Sequence, residues 1–436
     1  WLQGGSMRPR PWRPRAGIPS RRRRWAIGIC LSLAAPPLVA LAVAWPQPQP
    51  SSPPRMAAPN WLLDGRPLRW GIIGCGDVTE KKSGPGFQRA NGSELAAVMR
   101  RDAAKAADYA ERHQVPSWHS DVDALLADAS VDAVYIATPP GAHLETALRV
   151  AAAGKPCYVE KPMGRSYDEA AQMAAAFAEA RVPLFVAYYR RAYPRYQQVR
   201  ALLRTGELGR LTSVRYELER RAPTGSSGTA GVAGGGGGWR VDVATSGGGL
   251  FVDVGSHLLD LLDFLLGPLH DVRGRAARKA PDASPAQPED FVEMQFAAAD
   301  GVTGTATWDF WAEDDLEVLQ FVGDRGTLTL PDPMNGVENI LEYNDGSPPM
   351  SWVTNPPTPS VQEPLIQSVV DAVRAVNASL CPSLAESGLR TAAYIDVVLE
   401  GFYGRRVDGY WKDPSTWPVN AGRDSAKDGL LSVSEL

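Results

Sequence analysis

The sequence predicts an α/β protein: a doubly wound parallel sheet in the first half, then an α+β domain with a large, mostly antiparallel open sheet. Three observations predict it. Between residues 66 and 187, short apolar runs alternate with segments of helical composition, the rhythm of βαβ units. After residue 188 the rhythm changes to runs with period-two alternation joined by Gly- or Asp-containing turns, which fits a sheet covered on one face. The 436 residues exceed what one ordinary core accommodates, so two domains plus extensions are expected.

Each element follows from the local pattern. Residues 69–73 form an apolar strand that runs straight into Gly74-Cys75-Gly76. A helix at 84–90, a strand at 94–99, helices at 103–113 and 121–127, and a strand at 133–136 follow. A helix at 144–153, a strand at 157–159, a helix at 167–180 and a strand at 183–187 complete the first domain. The second opens with a helix at 193–203 and a strand at 211–218. Residues 223–238 are dominated by Gly, Ser and Ala, cannot pack a core, and are expected to form a mobile loop. Strands at 291–296, 303–310, 316–322 and 326–330 precede amphipathic helices at 363–376 and 386–399. The expected division is an extension at 1–65, a doubly wound α/β domain at 66–187, an α+β domain at 188–411 and a polar tail at 412–436.

Charge narrows the function. Residues 1–60 hold nine arginines, no lysine and no acid, leaving 36 basic against 49 acidic groups in the rest, a net −13. An acidic body speaks against nucleic acid as the main partner. Cys30, Cys75, Cys157 and Cys381 stand far apart in no metal-ligand spacing. Neither a metal nor a disulfide framework is expected, and the thiols fit a soluble protein of the reducing cytoplasm. The segment 21–45 leaves other compartments open. Arg21 to Arg24 precede an uncharged run from Trp25 to Trp45, the form of a targeting peptide or, if 25–45 is retained, a membrane anchor. Pro36 and Pro37 would kink it as a spanning helix. Translated upstream sequence, with the start at Met56, is a third reading.

The chemistry gathers at a few turns. In 71–78, Gly74 permits a tight turn after the first strand and Gly76 lets the backbone approach a pyrophosphate. The helix that opens at Asp77 and Val78 supplies amide donors and a favourable dipole. Thr79 stands where the fingerprint has its third glycine. This is a Rossmann dinucleotide turn, placed after an apolar strand as it must be. The second strand ends at Arg100-Arg101, where an NAD site usually carries an acid for the ribose hydroxyls. A guanidinium there can bind a 2′-phosphate, so NADP is expected over NAD. Thr138 and Pro139 follow the strand at 134–136 on the carboxyl edge, where ligands of such sheets gather, and His143 lies close behind. Glu160-Lys161-Pro162 puts a carboxylate and an ammonium at the same edge. Further on, Asp253, His257 and Asp260 form a polar stripe at helical spacing on an otherwise apolar segment, which needs a purpose. With no further His or Cys nearby, they are too thin a ligand set for a metal.

Together these pieces resemble the Gfo/Idh/MocA oxidoreductases. The resemblance covers roughly residues 66–330 and rests on five motifs in order: GIIGCGDV at 71–78, ATPPGAH at 137–143, EKP at 160–162, YYRR at 188–191 and GGGLFVDVGSHLLD at 247–260. It implies hydride transfer between NAD(P) and a secondary hydroxyl or hemiacetal carbon of a sugar, polyol or cyclic diol, as in D-xylose 1-dehydrogenases or dihydrodiol dehydrogenases. It further implies that Lys161 acts on the reacting oxygen and touches the nicotinamide ribose, that His257 exchanges the proton, and that Asp253 orients substrate or Lys161. Tyr189, Arg190 and Arg191 would line the substrate pocket, and homodimers or homotetramers would form through the open face of the second sheet. The departures are the Gly-rich stretch, the arginines at 100 and 101, and the N-terminal extension. The rival reading is a non-catalytic NAD(P)-binding sensor or scaffold of the same fold, which would have no need of Lys161, Asp253 and His257 together.

Overall fold

The computed structural model describes residues 65–222, 238–280, 287–355, 360–407 and 410–412. The N-terminal extension with its 21–45 segment, the Gly-rich stretch up to residue 237 and the tail beyond 412 lie outside the described residues. Among the described residues no helix is long and apolar enough to cross a membrane.

The first sheet contains β1 (Leu68–Ile73), β2 (Ser93–Met99), β3 (Ser117–His119), β4 (Ala133–Ile136), β5 (Cys157–Val159) and β6 (Leu184–Val186) in the order β3-β2-β1-β4-β5-β6. All its pairings are parallel. Alternate residues of the apolar strands feed two cores. Trp70, Ile72, Tyr135 and Tyr158 pack with Phe87 on one face; Ile73, Val134, Ile136 and Val159 pack on the other. The helices between the strands are α1 (Gly84–Arg89), α2 (Ala103–His113), α3 (Val122–Ala127), α4 (His143–Ala152) and α5 (Tyr167–Ala180). Asp102, Asp121 and Ser166 cap α2, α3 and α5 through their side-chain oxygens. The strand order reverses between β1 and β4, which opens a crevice at their carboxyl ends.

The second unit begins with α6 (Pro194–Thr205) and β7 (Leu211–Arg221). A short α7 (Val243–Ser246) leads through three glycines into a π-helical turn, Phe251–Gly255, and then α8 (Ser256–Leu266). The strands β8 (His270–Ala277), β9 (Phe291–Ala297), β10 (Thr303–Ala312), β11 (Leu316–Gly323), β12 (Gly326–Pro331), β13 (Glu338–Tyr343) and β14 (Met350–Val353) complete a sheet ordered β14-β13-β12-β11-β7-β10-β9-β8. It is antiparallel except for the parallel pair β7 and β10. Leu258, Leu262 and Phe251 from the α8 segment join Trp308, Leu319 and Val292 in the main core of this unit.

Two differences from the sequence reading matter. The strands β3, β8, β13 and β14 were not expected. The helix α9 (Glu363–Arg374), counted with the second domain, packs Leu365, Ile366, Val369 and Val373 into the same core as Trp70 and Tyr135 of the first sheet. Only α10 (Ala385–Tyr403) bridges the other way, with Val397, Val398 and Leu399 in the core of the second sheet.

Candidate active site

The turn after β1 is built for close approach. Gly74 adopts φ +94°, and a Cβ there would lie 2.9 Å from Thr138 Cγ2 and 3.0 Å from the Ala137 backbone. Over Gly76 the space is open: an added Cβ would meet only the Gly74 carbonyl oxygen, at 3.9 Å. The chain is helical from Asp77, so the amides of Asp77 and Val78 fall in the first turn, which has no acceptor within the helix. The missing third glycine is accounted for. The Thr79 side chain turns inward, accepting from the Gly76 amide at 2.9 Å and donating to the Gly76 carbonyl at 2.8 Å. The buried Thr138 hydroxyl has no partner among the described residues and sits against Gly74 at the switch point. An open glycine cradle, free helix-start amides and an orphaned hydroxyl fit the pyrophosphate and ribose of a dinucleotide.

At the end of β2, the half-buried Arg100 donates from Nη1 to the Cys75 carbonyl at 3.1 Å, so its guanidinium lies against the glycine turn, and Arg101 is exposed. Burial pushes the Cys75 thiol up to about 11 against the pull of Arg100, so it stays protonated. The β4 edge carries Thr138 and Pro139, as the strand pattern required. His143, a candidate at the ligand edge in the sequence, is turned into the protein. The ring is fully buried, with Nδ1 3.1 Å from the Pro162 carbonyl and Nε2 2.8 Å from the Thr138 carbonyl. It ties the two ligand-edge loops together instead. Glu160 is also turned inward. Its carboxylate accepts from Tyr135 Oη and Gln362 Nε2, both at 2.6 Å, and from the Lys161 amide at 3.1 Å.

Lys161 pairs elsewhere. Its Nζ lies 2.5 Å from Asp253 Oδ1 and 3.0 Å from the Asp253 carbonyl, across the boundary between the two units. An ammonium has three donors, so one N–H is left to face the crevice. Asp253 stands in the π-helical turn, where the helix widens, a distortion common at functional sites. Burial pushes its carboxyl up, but Lys161 and Arg240 outweigh burial and hold it below the usual carboxylate range. His257 follows one turn later, its ring 5.3 Å from Tyr189 and 6.2 Å from Tyr188, both near edge-on. Its Nδ1 is buried without a hydrogen-bond partner among the described residues. Burial, with the charges of Arg190 and Lys161, holds the ring well below the ordinary histidine range, so it is neutral at pH 7.

The YYRR segment divides. Tyr189 packs on His257, and Arg190 sits behind it, its guanidinium 5.0 Å from the Tyr189 ring and Nη2 donating to the Met334 carbonyl at 3.0 Å. Arg191, expected in the substrate pocket, is used up inside the protein. Its Nε lies 2.8 and 2.9 Å from the Asp260 carboxylate and its Nη2 2.9 Å from Asp263. That also explains Asp260, which burial pushes up to about 6 against the attraction of Arg191. Sequence reasoning missed Arg240, whose Nε lies 3.4 Å from Asp253 Oδ2. Its only signal was a Trp-Arg pair after a low-complexity stretch. Among the described residues no group of three or more His, Cys, Asp or Glu side chains could hold a metal.

Comparison with known proteins shows the family and the fold. Residues 68–188 match the oxidoreductase family with an NAD-binding Rossmann fold, and residues 196–329 match the GFO/IDH/MocA C-terminal domain. Oxidoreductase P35 of Formosa agariphila is 32% identical over 344 residues, covering 77% of this chain and 98% of that protein. A D-xylose 1-dehydrogenase (NADP(+)) of Haloferax volcanii is 32% identical over 46% of this chain and 58% of its own length. Among solved structures, levoglucosan dehydrogenase in complex with NADH and levoglucosan superposes with a TM-score of 0.66 at 21% identity, over 77% of this chain and 97% of that one.

Proposed function

Because the chain belongs to the Gfo/Idh/MocA oxidoreductase family, we propose that it is an NADP-dependent dehydrogenase acting on a secondary hydroxyl or hemiacetal carbon of a sugar, polyol or cyclic diol. The observation that carries this reading is the Lys161–Asp253 pair beside a neutral His257, at the carboxyl edge of a dinucleotide-type sheet. The bound nicotinamide supplies the hydride chemistry. The protein's own residues manage the oxygen and one proton. The remaining N–H of Lys161 holds the substrate oxygen, Asp253 fixes Lys161, and His257 takes up the hydroxyl proton at Nε2 in the oxidation direction. Arg100, lying against the glycine turn, supports a contact with the 2′-phosphate of NADP. Gly74, Gly76, Asp77, Val78, Thr138 and Pro139 would form the rest of the cofactor cradle. The open face of the second sheet is the surface through which a homodimer or homotetramer would form.

Two measurements test the reading together. Fluorescence titration is expected to give tighter binding of NADPH than of NADH. Arg100→Ala should weaken NADPH at least about tenfold, on the scale of one charge-assisted hydrogen bond. On a panel of sugars and diols, Lys161→Ala should lower turnover by about 100-fold or more. Equal turnover in parent and variant would remove Lys161 from the mechanism, nucleotide binding without turnover of any substrate would favour the non-catalytic NAD(P)-binding sensor or scaffold, and a folded chain that binds neither nucleotide would overturn both readings.

A further inference from the structure

The turn that carries Asp253 and His257 is entered through Gly247-Gly248-Gly249, and two buried ions of opposite sign hold the two ends of that tripeptide. Arg406 donates from Nη1 to the Gly247 carbonyl and from Nη2 to Asp396. Glu289 accepts the Gly249 amide on both carboxylate oxygens, at 2.9 and 3.0 Å, and Tyr403 Oη at 2.5 Å. Both ions are almost wholly enclosed, Glu289 at 2% and Arg406 at 3% exposure. Gly247 has φ +89°, and a Cβ there would lie 2.6 Å from the Arg165 carbonyl oxygen. The glycine turn is therefore pressed against the stretch that follows Lys161 by four residues. Asp396 closes the circuit: its other carboxylate oxygen accepts the Tyr167 amide, at the start of α5, at 2.9 Å.

Lys161 and Asp253 come from different sheets, yet the stretches that carry them meet on one carboxylate. On one side Asp396 holds Tyr167, six residues beyond Lys161. On the other it holds Arg406 and, through it, Gly247, six residues before Asp253. Burying such ions carries a desolvation cost that well-packed apolar side chains of similar volume would avoid. What apolar groups would not supply is a directed, charge-assisted grip on two backbone dipoles of one turn.

We propose that Asp396, Arg406 and Glu289 are positioning residues, which set the separation of Lys161, Asp253 and His257 by clamping the three-glycine turn. They touch neither substrate nor cofactor. The proposal rests on the reading of Lys161, Asp253 and His257 as the reacting group, and it predicts that loosening the clamp moves that group while the fold and the nucleotide turn remain.

The test uses the full chain and needs no substrate. The His257 imidazole is titrated by NMR, assigned with His257→Asn, in the parent, Arg406→Met, Arg406→Lys and the near-isosteric Glu289→Gln. NADPH binding and thermal stability are followed in parallel, and crystal structures give the Lys161–Asp253 distance. The expected result in Arg406→Met and Glu289→Gln is a His257 midpoint raised towards the ordinary value, with the Lys161–Asp253 contact opened and NADPH affinity changed less than about threefold. Arg406→Lys, which keeps the charge and one directed donor, should recover most of the shift. If Arg406→Met does not fold, Glu289→Gln decides. A lowered melting temperature with an unmoved His257 midpoint and an intact Lys161–Asp253 contact would overturn the proposal and leave these residues as structural supports. Failure of the parent to bind NADPH would instead strike the dehydrogenase reading, whatever the variants do.

Discussion

Burial sets the protonation of His257 first, and the Arg190 guanidinium and Lys161 ammonium push in the same direction. The ring packs against Tyr188 and Tyr189, and among the described residues no carboxylate hydrogen-bonds its enclosed Nδ1 to stabilise an imidazolium. A histidine with a depressed pKa stays neutral to more acid pH than the ordinary value of about 6.5. On the proposed reading of His257 as the proton acceptor, the acceptor is available across the whole neutral range, and activity in the oxidation direction should fall only in acid, below that value. An NMR titration of the five histidines, with His257→Asn for assignment, measures this directly. Arg190→Met removes one of the repelling charges, so the midpoint should rise; a parent midpoint at or above about 6.5 would show that burial and these two charges do not govern His257. The residues around this ring were only partly legible in the sequence. Lys161, Asp253 and His257 sit in motifs whose spacing is local. Arg240, Glu289 and Arg406 do not: each is a charged residue among many, singled out only by a backbone or carboxylate partner that the fold sets against it.

At the scale of the element, α8 and the turn before it are apolar apart from a few polar side chains, and the three aspartates among them serve different purposes. Asp253, in the π-helical turn before it, serves the crevice, while Asp260 and Asp263 serve Arg191. Arg390 closes the network on Asp263 with contacts of 2.7 Å. The guanidinium of Arg191 thereby locks the turn after β6, with Tyr189 in it, to the helix that carries His257. Arg191→Met would leave Asp260 buried without its cation, a loss of about 3–5 kcal/mol in unfolding free energy by urea titration. A change of less than about 1 kcal/mol would mean that the site relaxes or that Asp260 simply takes up a proton. The elements that sequence patterning missed share a physical cause. The strands β3, β14 and β8 lie at sheet edges and β13 lies next to one, and most of their side chains are half-buried or exposed. Period-two hydrophobicity records burial of one face, and a strand that buries few side chains leaves little of that record. The strands β1, β4 and β5, and β6 although it ends the sheet, are almost wholly buried, and their apolar runs were read at once.

For the whole molecule, chain order and packing order differ. The sequence suggests a boundary near residue 188, and the change of rhythm there is real, but α9 returns to the first sheet after the second has been built. An amphipathic helix advertises that it has an apolar face, not which sheet receives it, so this part of the architecture was not legible. Its consequence is cooperativity. Ile366 and Val369 share a core with Trp70, Phe87 and Tyr135, and Gln362 holds the buried Glu160 and Tyr158 next to Lys161. The nucleotide-binding sheet therefore depends on residues almost 300 positions beyond its first strand for both its covering layer and the edge that carries Lys161. Ile366→Ala, which empties space against α1 near Gly86, should cost about 2–5 kcal/mol. The loss should appear in the first sheet: amides of β1 and β4 are expected to exchange faster with solvent deuterium, and NADPH affinity to fall with them. If the two units were independent, the same substitution would leave β1 and β4 as protected as in the parent and confine the change to α9. Protection maps of parent and variant distinguish these outcomes, because β1 and β4 lie at the centre of their sheet, where exchange requires that the sheet itself open.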